Sequence, residues 1–438
     1  MGIMGTTRGQ VPRLFLVEGA VMGLAGSVAG SFSGWLFLLA RRGIARNPDG
    51  TVAAQSSTMA DAQQIERRLT MTARTTPAAA STITSLNARA VLVPMTRPLH
   101  TSTGSITQVP FVLVDLTASS GATGRSYLFC ITPAALKSTV AMLGDLAPIV
   151  KSQALAPVEL FGMLEKRFTL LGTTGILGMA LAGIDMAAWD ALAIETGQPL
   201  VRRLGGTARP VKAYNSCGLG LMGPKKVARE AVELLRDGFG AIKLRLGYAT
   251  LEEDVAAVKA VKAAIPSNIK VMTDYNQALD PAEAIRRGPA LDALGLTWIE
   301  EPVRADDHAG CARVAAALKT AVQIGENYCG PRDMGRAIAA GASDYVMPDA
   351  MRIGGVTGWL RAAALAEAAA LPMSTHLFPE ISAHLMCVTP TAHWLEYVDW
   401  INPVVKTPLE IKAGHAIIRN VPGYGIEWDE KKIRKYAV

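Results

Sequence analysis

Three stretches decide the fold: KVMTDYNQ at residues 270–277, LTWIEEP at 296–302 and VQIGENY at 322–328. Each is a short apolar run that ends on an acid, Asp274, Glu300 and Glu326 in turn. Asp274 and Glu300 lie 26 residues apart, and so do Glu300 and Glu326. That interval accommodates one strand, one helix and two loops. Val/Ile-rich runs alternating with helical stretches in this way predict βα units and a parallel sheet. In a closed parallel barrel the carboxyl ends of the strands open on one face, where active sites gather. Three acids from successive strands then point at one spot, and like charges that close repel unless a cation sits among them. Hard oxygen ligands on separate rigid strands suit Mg2+, which wants near-octahedral geometry and keeps positions open for a substrate. A lone acid at a strand end often only starts a loop, but three in register are poorly explained that way.

The same rhythm extends on both sides. VKAYNSC (211–217), GAIKLRL (240–246), DYVMPD (344–349), PMSTHL (372–377) and HWLEYVD (393–399) join the first three to make eight strand-like runs. Eight is the number of a (β/α)8 barrel, expected here over residues 210–400. Ala-rich helical patterns such as LEEDVAAVKAVKAAI (251–265) fill the intervals. Ahead of the barrel, ARAVLVPM (88–95), PFVLVDLTAS (110–119) and GRSYLFCIT (124–132) alternate like strands. The Thr/Ser/Gly-rich stretch between the first two, residues 96–107, reads as a loop. Helical patterns follow, notably GILGMALAGIDMAAWDALA (175–193), so residues 81–209 are expected to form an α+β module. The tail, 401–438, carries Pro-Gly turns and strand signals and is expected to leave the barrel.

The ends of the chain differ in texture. Residues 19–40 hold 22 positions without a charge, enough to span a bilayer as a helix. Gly19, Gly23, Gly26, Gly30 and Gly34 add small-xxx-small spacing. Residues 1–40 weakly resemble the closing helix of FtsX-like permeases, and 46–80 read as a poorly ordered linker. Two expectations compete for residues 1–45: a transmembrane segment giving membrane contact through 19–40, or a gene fusion or a start set too far upstream, with Met59 or Met71 as the true beginning. Residues 1–80 carry eight Arg and four acids, hence +4 of the net +7. The rest shows no Lys/Arg cluster suited to nucleic acid. Five scattered cysteines without a C-x-x-C read as free thiols in a reducing, cytoplasmic setting.

Polar groups recur at the other strand ends. Lys243 and Arg245 are alternate residues facing one side, Asn276 lies beside Asp274, and Asp349, His376 and Glu396 close the sixth, seventh and eighth runs. A lone histidine after a strand is often just a packed loop residue. With an acid at the preceding strand end it becomes a candidate His–Asp pair, in which the carboxylate fixes the tautomer and raises the imidazole basicity. The set suggests proton abstraction next to a carboxylate. An α-proton there is very weakly acidic, so Mg2+, a cationic Lys and a protonated acid are needed to stabilise the enediolate as it forms.

At these residues the sequence resembles the enolase superfamily, mandelate racemase subgroup. The motifs are LFGMLEKRF, GIDMAAWD, the K-x-R of KLRLGY, DYNQALD, TWIEEP, QIGENYCGP, MPDAMRIGGVTGW, HLFPEISAHL and TPTAHWLE, spread from about residue 86 to 438. The resemblance implies a capping domain completed by the tail, over a barrel, in a homo-oligomer acting on a small carboxylate. It implies that Asp274, Glu300 and Glu326 bind Mg2+, with Asn276 near the metal and substrate. Lys243 and Ser216 would contact the substrate carboxylate, Asp349 and His376 would form the base on one face, and Glu396 would be the electrophilic acid. Leu99 and Ile106 would lie in the substrate-covering flap. They suit an aryl group, whereas Arg97 and the Thr/Ser content suit hydroxylated substrates. One departure stands out: the subgroup's second strand-two lysine, its opposite-face base, is Arg245 here. Arginine stays protonated and is a poor base. Mandelate racemase-like chemistry on a 2-hydroxycarboxylate therefore competes with dehydration of an acid sugar, which needs one base. A membrane-tethered, non-catalytic binding protein is a third reading, opposed by the filled ligand positions.

Overall fold

The computed structural model describes residues 81–438; the expectations for 1–45 and 46–80 lie outside them. Strands β1 (Ile83–Thr101), β2 (Gly104–Ala118) and β3 (Thr123–Phe129) form an antiparallel sheet in the order β1-β2-β3. Helices α1 (Leu136–Val150), α2 (Pro157–Arg167), α3 (Gly175–Glu195) and the short α4 (Leu200–Arg203) follow. Every residue of α3 from Ala180 to Ala191 is buried, because β3 covers one flank and the barrel another. Side chains such as Leu181 and Ile184 contribute roughly 1.5–3 kcal/mol each by that burial. Among the described residues α3 is the one helix long and apolar enough to cross a membrane, yet it serves as core. Gly124 makes this packing possible: a Cβ there would come within 2.0 Å of the Ala187 carbonyl oxygen.

The stretch 96–107, expected to be a loop, is the tip of a long hairpin. Leu99 pairs with Ile106, His100 with Ser105 and Thr101 with Gly104, leaving Ser102 and Thr103 as the turn. Threonine and isoleucine favour the pleated conformation, which outweighs the polar composition. The register slips between Ile83 and Ser85 and again between Pro94 and Leu99, where Pro94 and Pro98 offer no N–H to the ladder.

The barrel strands are β4 (Val211–Asn215), β5 (Ala241–Arg245), β6 (Lys270–Asp274), β7 (Ile299–Glu300), β8 (Val322–Ile324) and β9 (Tyr345–Val346), each parallel to its neighbour. The run at 372–377 is held by single bridges, Met373 to Val346 and to Ala392, and His376 to Asp349. Then β10 (Leu395–Tyr397) pairs in parallel with β4 and closes the ring. Helices α5 (Pro224–Leu234), α6 (Leu251–Ala264), α7 (Pro281–Asp292), α8 (His308–Ala317), α9 (Pro331–Ala339), α10 (Gly355–Ala368) and α11 (Pro379–Met386) alternate with the strands. Their starts are legible: Thr250 and Glu253 form a capping box, and Asp280 and Asp307 accept from backbone N–H groups of the first turn.

The tail does two things. Its hairpin, β11 (Glu410–Lys412) and β12 (His415–Ile417), adds to β4 at Val211 and Lys212. Beyond it the Tyr424 N–H donates to Asp190 of α3 at 2.6 Å, and Trp428 Nε1 donates to Asp115 of β2 at 2.8 Å. Helix α12 (Glu430–Tyr436) follows, and Ala437 bridges Val91.

Candidate active site

Period-two alternation builds the mouth of the barrel in two storeys. Tyr214, Lys243, Met272, Trp298, Met347, Ser374 and Trp394 lie two residues before Ser216, Arg245, Asp274, Glu300, Asp349, His376 and Glu396 on their strands, and both sets are buried or nearly so. On β8 the interval stretches to three, Gln323 to Glu326, across Gly325 at φ +142°.

Asp274, Glu300 and Glu326 each offer an oxygen, and these oxygens lie within 4.8 Å of one another. Each acid is oriented by a nearby donor. Asn276 gives its backbone N–H (2.8 Å) and its Nδ2 (3.1 Å) to Asp274. Trp298 Nε1 donates to Glu300 at 3.0 Å, and Asn327 Nδ2 to Glu326 at 3.4 Å. Burial pushes Glu300 up to about 8, and its negative neighbours Asp274, Glu396 and Glu326 add to that against the pull of Lys243. Protons therefore compete for this cluster, the behaviour of a ligand set short of positive charge.

Lys243 sits at the centre, with Nζ 2.6 Å from Glu300, 2.8 Å from Glu396 and 3.2 Å from Asp274. Burial alone would strip its proton, but these carboxylates hold its pKa well above the ordinary lysine value. Glu396 accepts from the Leu377 N–H at 2.9 Å through its other oxygen. Burial opposes its ionisation, yet Lys243, His376 and Arg245 keep it well below the usual carboxylate range. A donor role for Glu396 therefore requires that it first take up a proton.

On the opposite rim His376 Nδ1 is 2.7 Å from Asp349, whose other oxygen accepts from the Met351 and Arg352 N–H groups. His376 Nε2 is thereby turned to the mouth, 3.3 Å from Glu326 and 4.0 Å from Glu396. Burial favours the neutral ring, but Glu326, the Asp349 hydrogen bond and Glu396 push it up to about 10.

Arg245 lies among carbonyls rather than carboxylates. Its Nη1 donates to the Ser216 and Gly218 carbonyls at 3.2 and 2.8 Å, its Nη2 to Ser216 Oγ at 2.9 Å, and its Nε is buried without a partner. Ser216 is thus engaged with Arg245. The hairpin tip reaches the same rim: Ser102 Oγ donates to the Tyr275 carbonyl at 3.2 Å, and the Leu221 N–H to the His100 carbonyl at 2.8 Å. Leu99 is only 6 % exposed and joins the apolar core, so Ile106 keeps more of its surface free. Arg97, expected to meet hydroxylated substrates, is occupied with Glu230 and Glu233 of α5. Sequence reading assigned no role to Trp298, Glu301 or Asn327. The available signal was their place, within two residues of an acid of the trio.

The sequence matches two family models. Residues 83–205 match the mandelate racemase / muconate lactonizing enzyme N-terminal domain, and 226–432 the enolase C-terminal domain-like model. Neither covers the FtsX-like resemblance at residues 1–40, which finds no support. An L-talarate/galactarate dehydratase of Salmonella typhimurium strain LT2 is 35% identical over 265 residues, 60% of this chain and 67% of that one. A Bradyrhizobium enolase solved with magnesium and mandelic acid is 44% identical with a TM-score of 0.80, covering 82% of this chain and 99% of that one. An L-talarate dehydratase of Polaromonas sp. JS666 solved with Mg and L-glucarate is 27% identical with a TM-score of 0.75, covering 82% and 98%. With a capping sheet, a closed barrel and this acid-lined mouth, the chain belongs to the mandelate racemase / muconate lactonizing enzyme family of the enolase superfamily, a superfamily of enzymes.

Proposed function

We propose that the protein removes the α-proton of a 2-hydroxycarboxylate with His376 as base, assisted by a Mg2+ ion held by Asp274, Glu300 and Glu326. One observation carries this reading: His376 Nε2, backed by Asp349, faces Glu326 across 3.3 Å at the edge of the three-carboxylate cluster. The donor set fits the ion, being all hard oxygen, and Asn276 Oδ1 is buried nearby without a protein donor. Bound there, Mg2+ would stabilise negative charge growing on the substrate carboxylate.

The side chains divide the remaining work. Asp349 holds the Nδ1 proton, so Nε2 is the nitrogen that takes the substrate proton. Lys243 neutralises charge on the substrate carboxylate, a role its three acidic partners keep it protonated for. Glu396 donates to the same carboxylate only after taking up a proton, as the entering anion displaces it from Lys243.

Racemisation of the mandelate type is the first reading, supported by the 44%-identical relative solved with mandelic acid. Dehydration of an acid sugar is the second, favoured by Arg245: tied to two carbonyls and a hydroxyl, it cannot serve as the opposite-face base. Incubation of aryl 2-hydroxy acids, aldonic acids and aldaric acids with the full-length chain and Mg2+ in D2O separates them. Deuterated product of inverted configuration supports racemisation, and a 2-keto acid trapped by semicarbazide supports dehydration. If neither deuterium uptake nor keto acid appears with any of them, the proposal fails. The family also suggests a homo-oligomer, which light scattering tests, and a cytoplasmic location, which fractionation of cells expressing from Met1 tests against membrane contact.

A further inference from the structure

Next in sequence to Glu300 stands a fourth carboxylate, Glu301, fully buried. Among the described residues no Lys, Arg or His stands within 4.0 Å of it. Its side-chain partner is Asn327, whose Nδ2 donates to both Glu301 oxygens at 2.8 and 3.1 Å. The same Nδ2 reaches Glu326 at 3.4 Å. Three acceptor oxygens around one nitrogen fix the orientation of this amide, since the reversed amide would set oxygen against oxygen. Glu301 also adopts φ +37°, a left-handed conformation that non-glycine residues enter at a cost. The Gln277 N–H donates to its carbonyl at 2.8 Å and its own N–H donates to Gln323 at 3.0 Å. The backbone is therefore braced on two sides in the geometry that turns this side chain toward Asn327.

We infer that Glu301 is a positioning residue of the cation site: by holding Asn327 it orients the Glu326 carboxylate. The inference rests on the metal reading proposed above. Partners one layer behind metal ligands typically alter affinity by about 10–100-fold when removed.

Titration of the full-length chain with Mn2+, followed by the electron paramagnetic resonance signal of free Mn2+ and by Mg2+ competition, tests it. Glu301→Gln puts an NH2 group where one of the two oxygens holding Asn327 Nδ2 stood, whereas Asn327→Leu removes the link outright. Each is expected to weaken Mn2+ binding about 10–100-fold. The double variant should be no weaker than the poorer single one, because the two act as one unit. The melting temperature in EDTA should change little for Glu301→Gln, which keeps the size and shape of the side chain. If wild type binds Mn2+ and both variants bind within twofold of it, the role of Glu301 and Asn327 is overturned while the metal site stands. A drop in melting temperature without a change in affinity likewise overturns it, leaving a purely structural contact. If wild type itself binds neither Mn2+ nor Mg2+, the proposed function is what fails.

Discussion

The two rims of the barrel mouth are alike in burial and opposite in chemistry. On the β9–β10 rim, His376 is a titratable ring with a carboxylate behind it and Nε2 turned to the opening. On the β4–β5 rim, Arg245 is a permanent cation whose Nη1 donates to two carbonyls just past β4 and whose Nη2 donates to the Ser216 hydroxyl. Under the proposed function one rim exchanges a proton, and the other presents charge. Lys243, two residues before Arg245, shows that position and not strand decides this. It touches three carboxylates, while Arg245 touches none within 4.0 Å among the described residues. The lesson is that stereochemical outcome in such a mouth rests on which rim carries a group able to lose its proton.

Four experiments break or sharpen this contrast. The largest effect is expected on the rim proposed to carry the base. His376→Asn keeps the size of the side chain but not its basicity, and should lower α-proton exchange by at least about 100-fold, read by proton NMR in D2O. Exchange at the wild-type rate would remove His376 from its role. Arg245→Lys should do the reverse on the other rim. It frees the Ser216 and Gly218 carbonyls and introduces an amine that can lose its proton. Exchange should appear, at least about tenfold above wild type, from the enantiomer that wild type leaves untouched. No change with either enantiomer would mean that charge alone matters there.

The third effect is a shift along the pH axis. His376 is pushed up to about 10 from its ordinary 6.5, chiefly against burial by Glu326. A base works only when neutral, so activity should rise with pH. A divalent cation beside Glu326 offsets that carboxylate, so the rising limb should move to lower pH as Mg2+ is raised. NMR titration of the His376 ring with and without Mg2+ checks this, and identical curves would uncouple the two. The stability sign follows the raised pKa. In the ion-free chain the stabilisation from His376 is fully present below about pH 6.5 and is lost as pH climbs through about 10. The smallest effect is Ser216→Ala, which removes one acceptor of Arg245 and should raise KM about two- to tenfold, with kcat little changed.

Much of this architecture was legible from residue order. The 26-residue interval of the acids and the eight apolar runs carried the parallel barrel, because strand, helix and loop lengths are local quantities. The placement of Asp349 before His376 likewise foreshadowed their 2.7 Å contact, since successive strand ends meet at one mouth. Composition misled at residues 96–107, where Thr and Ser suggested a loop although cross-strand pairing of residues 99–101 with 104–106 makes a hairpin. The tail hairpin on β4 was also invisible, because edge pairing is a non-local choice.

The sequence by itself determined the fold class, the family and the residues that could meet at the mouth, since periodicity and strand ends are written along the chain. Tertiary structure alone decided their electrical state. That Lys243 is clasped by three acids, that Lys243 and His376 lower the pKa of Glu396 and that Glu301 lies buried without a cation follow from distances between separate strands. Charge interactions in a dry interior vary steeply with such distances, and no spacing along the chain specifies them.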